Sequence, residues 1–322
     1  MHPMLVVGSV AFDTIHNNTG THKKILGGSA TFAAIAGSVF SRVQLVGIVG
    51  RDFPEQTVEA LTAHGIDMSG LERSDGLTFH WEGRYSDDLT SRESLCTELN
   101  AFAEFHPKIP EAFCDTPYVM LGNIAPELQL EVLDQVRNPK LVVADTMNFW
   151  IESKREKLLE VLRRVDVLVI NEEEARQLSG KHHVTQVSKA LLAMGPKIVI
   201  VKQGEYGALL FHNGEVFAAP AYPIDQVTDP TGAGDTFAGA LLGYVAHHGN
   251  ARHDTLRRAV IFGSAMASFC VEGMGTDRVM SVDRKAVNER FRAFRKLAHF
   301  SSEDEVNEVE REDRGPEAQP TV

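Results

Sequence analysis

The chain has 322 residues, 43% hydrophobic and 24% charged, with a formal net charge of −12. That composition suits a globular α/β domain with a substantial core, or two smaller domains; the acidic balance argues against a nucleic-acid partner, which needs clustered Lys and Arg. The three cysteines (Cys96, Cys114 and Cys270) are odd in number and form no C-x-x-C, which excludes a disulfide scaffold or zinc ribbon and suits a reducing compartment.

The N-terminal "MHPMLVVGSVAFD" lacks a basic leader and has only a brief apolar run, so it reads as a first strand, not a signal peptide. No stretch approaches membrane-spanning length, and the expected location is cytoplasmic. Strands are predicted at 4–10, 43–50, 118–123, 141–145, 166–171 and 197–202. Most are continuous apolar runs, the signature of strands covered on both faces, as in parallel sheets. Helices are predicted at 126–136 and 153–165, the latter from Leu158, Leu159, Leu162 and Val165. Alternation of the two predicts a doubly wound, mostly parallel α/β sheet. Two segments break the pattern, about 13–26 and 77–105, with polar and aromatic alternation. They are expected to form a small β-lid; an irregular surface excursion is the competing reading for 13–26. The tail, 301–322, carries eight acidic residues and two basic ones, half of the net charge, and is expected to be disordered.

In an open parallel sheet, ligands bind beyond the carboxyl ends of the strands. Asp13 follows the first strand, and Asn123, Asp145, Asn171 and Lys202 each end one. Together they are expected to line one rim, although Asn171 also reads as a helix cap. The stretch "DPTGAGDTFAGALLGY" (229–244) then supplies chemistry. Phe237, Ala240, Leu241, Tyr244 and Val245 follow helical spacing, so an amphipathic helix is expected to start near Asp235. Gly232, Ala233 and Gly234 leave its first amides open to an anion. This is neither a Walker A loop nor a dinucleotide fingerprint, since G-x-x-x-x-G-K-[ST] is absent and "GSVAFD" follows the first strand. A carboxylate at an anion site needs its own reason. Asp235 suits a base that takes the proton of an attacking hydroxyl; a simple helix cap is the alternative.

These residues resemble a known family. The 229–244 stretch resembles the second signature of the ribokinase-like (PfkB) carbohydrate kinases, and "GGSATFAAIAGSVF" (27–40) is similar to the first. "NEEEA" (171–175) resembles the N-x-x-E element, and "VKQGEYGALLF" (201–211) the nucleotide-side G-x-x-G strand pair. The resemblance spans roughly 4–297 and implies a three-layer α/β/α domain over 1–300 with a β-lid. It implies transfer of the ATP γ-phosphoryl group to a hydroxyl of a small-molecule sugar or nucleoside. By position, Asp235 would be the general base, and Gly232, Ala233 and Gly234 the anion hole. Asn171 and Glu174 would organise Mg²⁺ and the phosphates through water. Lys202, Gly204 and Gly207 would lie on the ATP side. Asp229 and Thr231 resemble a monovalent-cation (K⁺) position, completed by carbonyls in 271–277. Asp13, Gly27 and Gly28 would contact the acceptor, with Asn123 on the same rim. Some relatives form a homodimer through the lid, which the resemblance extends to this chain.

Two departures bear on the acceptor. Phe32 stands where family sugar kinases often have Asn. It reads equally as an aromatic face for a nucleobase and as an inward-packing residue. "DTMNFW" (145–150) departs from the family's Asp-Pro-Asn-x-Arg; the absent Arg weakens the case for a phosphorylated substrate unless Arg84 or Arg92 of the lid replaces it. Trp81 and Tyr85, at alternating-strand spacing, either cover the substrate or seal the lid. The pairs His182–His183 and His247–His248 are expected at the surface. Competing functions are a silent nucleotide or sugar sensor on the same fold and a nicotinamide-dependent oxidoreductase.

Overall fold

The structure, a computed structural model, describes residues 1–298. The tail expected to be disordered lies outside the described residues. Strands run in chain order β1 (Met4–Val7), β2 (Ala11–Asn17), β3 (Gly20–Gly27), β4 (Val43–Val49), β5 (Ile66–Arg73), β6 (Phe79–Tyr85), β7 (Arg92–Glu98), β8 (Tyr118–Leu121), β9 (Leu141–Ala144), β10 (Val167–Asn171), β11 (Ile198–Lys202), β12 (Ala208–His212) and β13 (Glu215–Ala219). Nine form the main sheet in the order β13-β12-β11-β10-β9-β8-β1-β4-β5. From β11 to β5 neighbours are parallel, while β12 and β13 turn back antiparallel.

The continuous apolar strands serve two cores at once. Met4 and Val6 of β1 face one cluster; Leu5 and Val7 face the other. In β11, Ile198 and Ile200 divide from Val199 and Val201 in the same way. One face is covered by helices Ser29–Ser38, Ala233–His248 and His253–Cys270, the other by Pro126–Gln135, Arg155–Leu162, Glu172–Ser179 and Val184–Leu192. The result is a three-layer α/β/α architecture. No helix of the described residues is long and apolar enough to cross a membrane.

The lid is a four-stranded sheet, β3-β2-β6-β7. It takes in both segments expected from the sequence, with changed limits. It opens at Ala11 in β2, while the turn Asn100–Glu104 leaves it and sends Ala101 into the core.

Two helices differ from expectation. The run 153–165 is split: Asn148–Ser153 ends, Lys154 takes φ −137°, and Arg155–Leu162 begins. Apolar spacing cannot see a backbone break at a lysine. Helix Ala233–His248 starts near Asp235 as expected, at Ala233, but every residue from Thr236 to Ala246 is buried. It is the central helix of its layer, packed between its two neighbours, so its expected polar face does not exist.

Candidate active site

Gly232 caps helix Ala233–His248 with φ 74°, a left-handed conformation that suits glycine. A Cβ there would also collide with the ring of Phe32. No side chain caps this helix end. Ala233 gives its amide to the Pro230 carbonyl at 3.3 Å; Gly234 and Asp235 have no backbone acceptor for theirs among the described residues. Open amides at a positive helix end form an anion cradle. The ammonium of Lys202 lies against it, 2.7 Å from where a Cβ on Gly234 would stand.

Carboxylates crowd the same cleft. Asp235 is half-buried, and its Oδ1 is buried without a hydrogen-bond partner. Burial, then the charge of Asp145, push its pKa up to about 7 against the pull of Lys202 and Arg92. Asp13, 5% exposed, is pushed up to about 8 by burial and by Asp229 and Asp235. Gly27 sits directly beside its carboxyl, and Gly28 precedes helix Ser29–Ser38. Lys202 pairs with Asp145 at 3.3 Å. Burial would lower its pKa, but Asp145, Glu174 and Asp235 outweigh that and hold it raised.

Asn171 and Glu174 form a capping box: Asn171 Oδ1 accepts the Glu174 amide at 2.8 Å, and the Asn171 amide donates to Glu174 Oε2 at 3.1 Å. The helix-cap reading of Asn171 therefore holds. Glu174 is buried, and that burial pushes its pKa up to about 7. Gly204 and Gly207 flank a turn between β11 and β12, at the sheet end away from β1.

Asp229 accepts a backbone amide on each carboxylate oxygen. Its Oδ1 accepts the Thr231 amide at 2.9 Å and its Oδ2 the Gly275 amide at 3.0 Å. The Thr231 hydroxyl shares a buried 2.9 Å hydrogen bond with Tyr85 of the lid. Asn17, also of the lid, donates to the Thr228 carbonyl at 3.1 Å. Both lid contacts thus land on the segment that leads into Gly232.

Other expected residues fall as follows. Phe32 is 1% exposed beneath Gly232, so it offers no face to a substrate; the inward-packing reading is the one observed. Asn123, half-buried, accepts the indole N–H of Trp150 at 3.0 Å. Arg92 stands over Trp81 on the cleft face of the lid, whereas Arg84 alternates onto the opposite face with Glu82. His182 and His183 are exposed; His247 is half-buried and bonds the Phe40 carbonyl. Sequence reasoning placed Asp145 on the rim but missed that it partners Lys202. For Tyr85 the sealing reading is the one observed, with Thr231 as the partner that sequence reasoning did not name. The two-residue alternation from Trp81 to Tyr85 was the available signal for the lid residue; a pair 57 residues apart leaves none for Asp145 and Lys202.

Comparison with known proteins identifies the family and the fold. Residues 1–282 match the model of the pfkB family carbohydrate kinases. A cytidine kinase of Thermococcus kodakarensis is 32% identical over 251 residues, covering 75% of this chain and 88% of the relative. A nucleoside kinase of Methanocaldococcus jannaschii is 24% identical, covering 85% and 92%. In fold, the crystal structure of the M. jannaschii nucleoside kinase, described as an archaeal member of the ribokinase family, superposes with a TM-score of 0.72 at 22% identity, over 91% of this chain and 99% of that one. A putative ribokinase II from E. coli in complex with ATP and Mg²⁺ gives 0.76 at 18% identity, over 91% and 100%. The chain belongs to the pfkB family of carbohydrate kinases.

Proposed function

We propose that the protein transfers the γ-phosphoryl group of ATP to a hydroxyl of a nucleoside. Membership of the family makes it a kinase, a phosphotransferase with an alcohol group as acceptor. The observation that carries the finer reading is Asp235. Its buried, unpartnered Oδ1 stands at an open helix N-terminus, with a pKa of about 7. Such a carboxylate has no structural partner to serve, and its pKa suits a base working near neutrality.

The acceptor hydroxyl lies against Asp235, which takes its proton as the oxygen attacks phosphorus and the bond to ADP breaks. The amides of Gly232, Gly234 and Asp235 hold the equatorial oxygens, and Lys202 adds positive charge beside them. Asp145 keeps that ammonium in place. Asp13, with Gly27 and Gly28, holds the acceptor's other hydroxyls. The ATP side is Asn171, Glu174, Lys202, Gly204 and Gly207. Asn171 and buried Glu174 would hold Mg²⁺ through water, and the ion would supply charge neutralisation at the donor phosphates. Each Asp229 carboxylate oxygen accepts one backbone amide and keeps a lone pair, so Asp229 still suits a K⁺ ligand, with Thr231 beside it. Carbonyls of 271–277 would complete that site; activity measured with KCl replaced by choline chloride tests it.

Support for a nucleoside comes from the similarity to a cytidine kinase and a nucleoside kinase; the absent strand-end Arg at 145–150 argues only against an acceptor that already carries a phosphate. The reading includes a homodimer through the lid, whose edge strand β7 is exposed along its whole length; sedimentation tests it. The second reading is a silent sensor on the same fold, against which stands the unpartnered base.

The test is ADP release across a panel of nucleosides and sugars. Asp235→Asn is expected to bind ATP as the wild type does and to lose about 10²–10⁴-fold in kcat. Turnover within a few-fold of wild type would remove Asp235 as base.

A further inference from the structure

The cleft face of the lid carries an aromatic ring that phosphoryl transfer itself does not need. Asp13 of β2 pairs in register with Trp81 of β6. Strand alternation puts Trp81, Gly83 and Tyr85 on the face of Asp13. That face looks into the site, since Asp13 senses Asp235 and Tyr85 reaches Thr231.

The indole of Trp81 lies down along this face. A Cβ on Gly83 would collide with its six-membered ring, so the close approach requires glycine there. Its N–H donates to Ser94 Oγ of β7 at 3.1 Å, which fixes the polar edge. The ring belongs to neither core cluster, and the residue is only half-buried. Arg92 stands over the ring, 5.8 Å from its centroid, and is itself exposed, so a base stacks there in place of the guanidinium. An indole fixed at its edge, with one face on its own sheet, presents the other face to a planar ligand at little entropic cost.

We propose that Trp81 is the platform on which the acceptor's nucleobase stacks, while Asp13 holds the ribose. The inference rests on the reading of the acceptor as a nucleoside. Position excludes the donor's adenine as the stacked base. The ATP-side residues sit at the ends of β10 and β11, whereas the lid strands follow β1 and β5, toward the other end of the sheet order. Stacking tolerates any base, so Trp81 selects nucleosides over free sugars and not one base over another.

Cytidine, uridine and adenosine serve as acceptors, and D-ribose as a competitor without a base. Trp81→Ala is expected to raise KM for each accepted nucleoside roughly 10- to 100-fold, with kcat within a few-fold and inhibition by ribose within about twofold. Trp81→Phe is expected to restore most of the loss. A second measurement is independent of turnover: the chain has two tryptophans, Trp81 and Trp150. Cytidine should quench the fluorescence of the wild type and leave that of Trp81→Phe nearly unchanged. An unchanged KM, an equal loss for ribose and nucleosides, or an equal quench in both proteins overturns the platform while leaving the nucleoside reading intact. A wild type that phosphorylates sugars and no nucleoside overturns the acceptor reading itself, and the platform with it.

Discussion

Asp235 carries the clearest expectation about pH. With its pKa held at about 7, only the ionised form can take a proton from the acceptor. Thus kcat/KM should rise about tenfold per unit below pH 7 and level off above it. A pH–rate profile flat between pH 5.5 and 7 would contradict this. Asp13 makes a separate prediction. Its folded pKa, about 8, lies above the ordinary value of 3.8. Between those values the folded chain keeps a proton that the unfolded chain has lost, so stability falls as pH rises. Asp13→Asn is therefore expected to raise Tm by about 2–6 °C at pH 8.5, and by less at pH 5. Calorimetry at the two pH values measures the difference. Much at this scale was legible: Asp235 stood out because three small residues precede a helical apolar stripe. The direction of Phe32 was not. It sits on a helix buried on all sides, where sequence spacing gives no inside and outside.

Among elements, the lid is tied to the segment that leads into Gly232. Tyr85 and Asn17 both end on 228–231, and Asp229 links that segment to Gly275. Removing the Tyr85 hydroxyl leaves Thr231 Oγ1 buried without its partner, at a cost of about 1–2 kcal/mol. Tyr85→Phe keeps the packing, so it should fold, with a lower Tm. We expect kcat to drop several-fold while KM for ATP stays within about twofold, because the loss falls on positioning and not on donor contacts. Steady-state kinetics on the variant decide it; equal changes in both constants would argue for a general loosening. The lid was visible in the sequence through its polar alternation, unlike the continuous apolar strands of the main sheet. Its limits were not, because the turn Asn100–Glu104 resumes core packing without a change of composition. The break at Lys154 was hidden for a related reason: apolar periodicity runs through it undisturbed.

For the whole molecule, sheet order separates two halves. On the proposed function, acceptor residues would come from the β1 side and the lid, and donor residues from β10 to β12. Ligands on the two sides should then stabilise the fold separately: each at about 100 times its Kd adds about 2.7 kcal/mol. Thermal melts with cytidine, with Mg²⁺ and adenylyl imidodiphosphate, and with both should show two gains that at least add. A gain with both no larger than with one alone would mean that the sites compete. The parallel architecture was readable from strands apolar on both faces. The antiparallel β12–β13 edge was not, since short strands give no sign of direction. The burial of helix Ala233–His248 on all sides has a consequence for how such a protein changes over generations. On the proposed function, its proton acceptor sits at the head of the part least able to accept substitution, while the residues that choose the acceptor lie on thin strands outside that core. Selection can rewrite the lid and give the chain a new substrate, with the reaction itself left as it was.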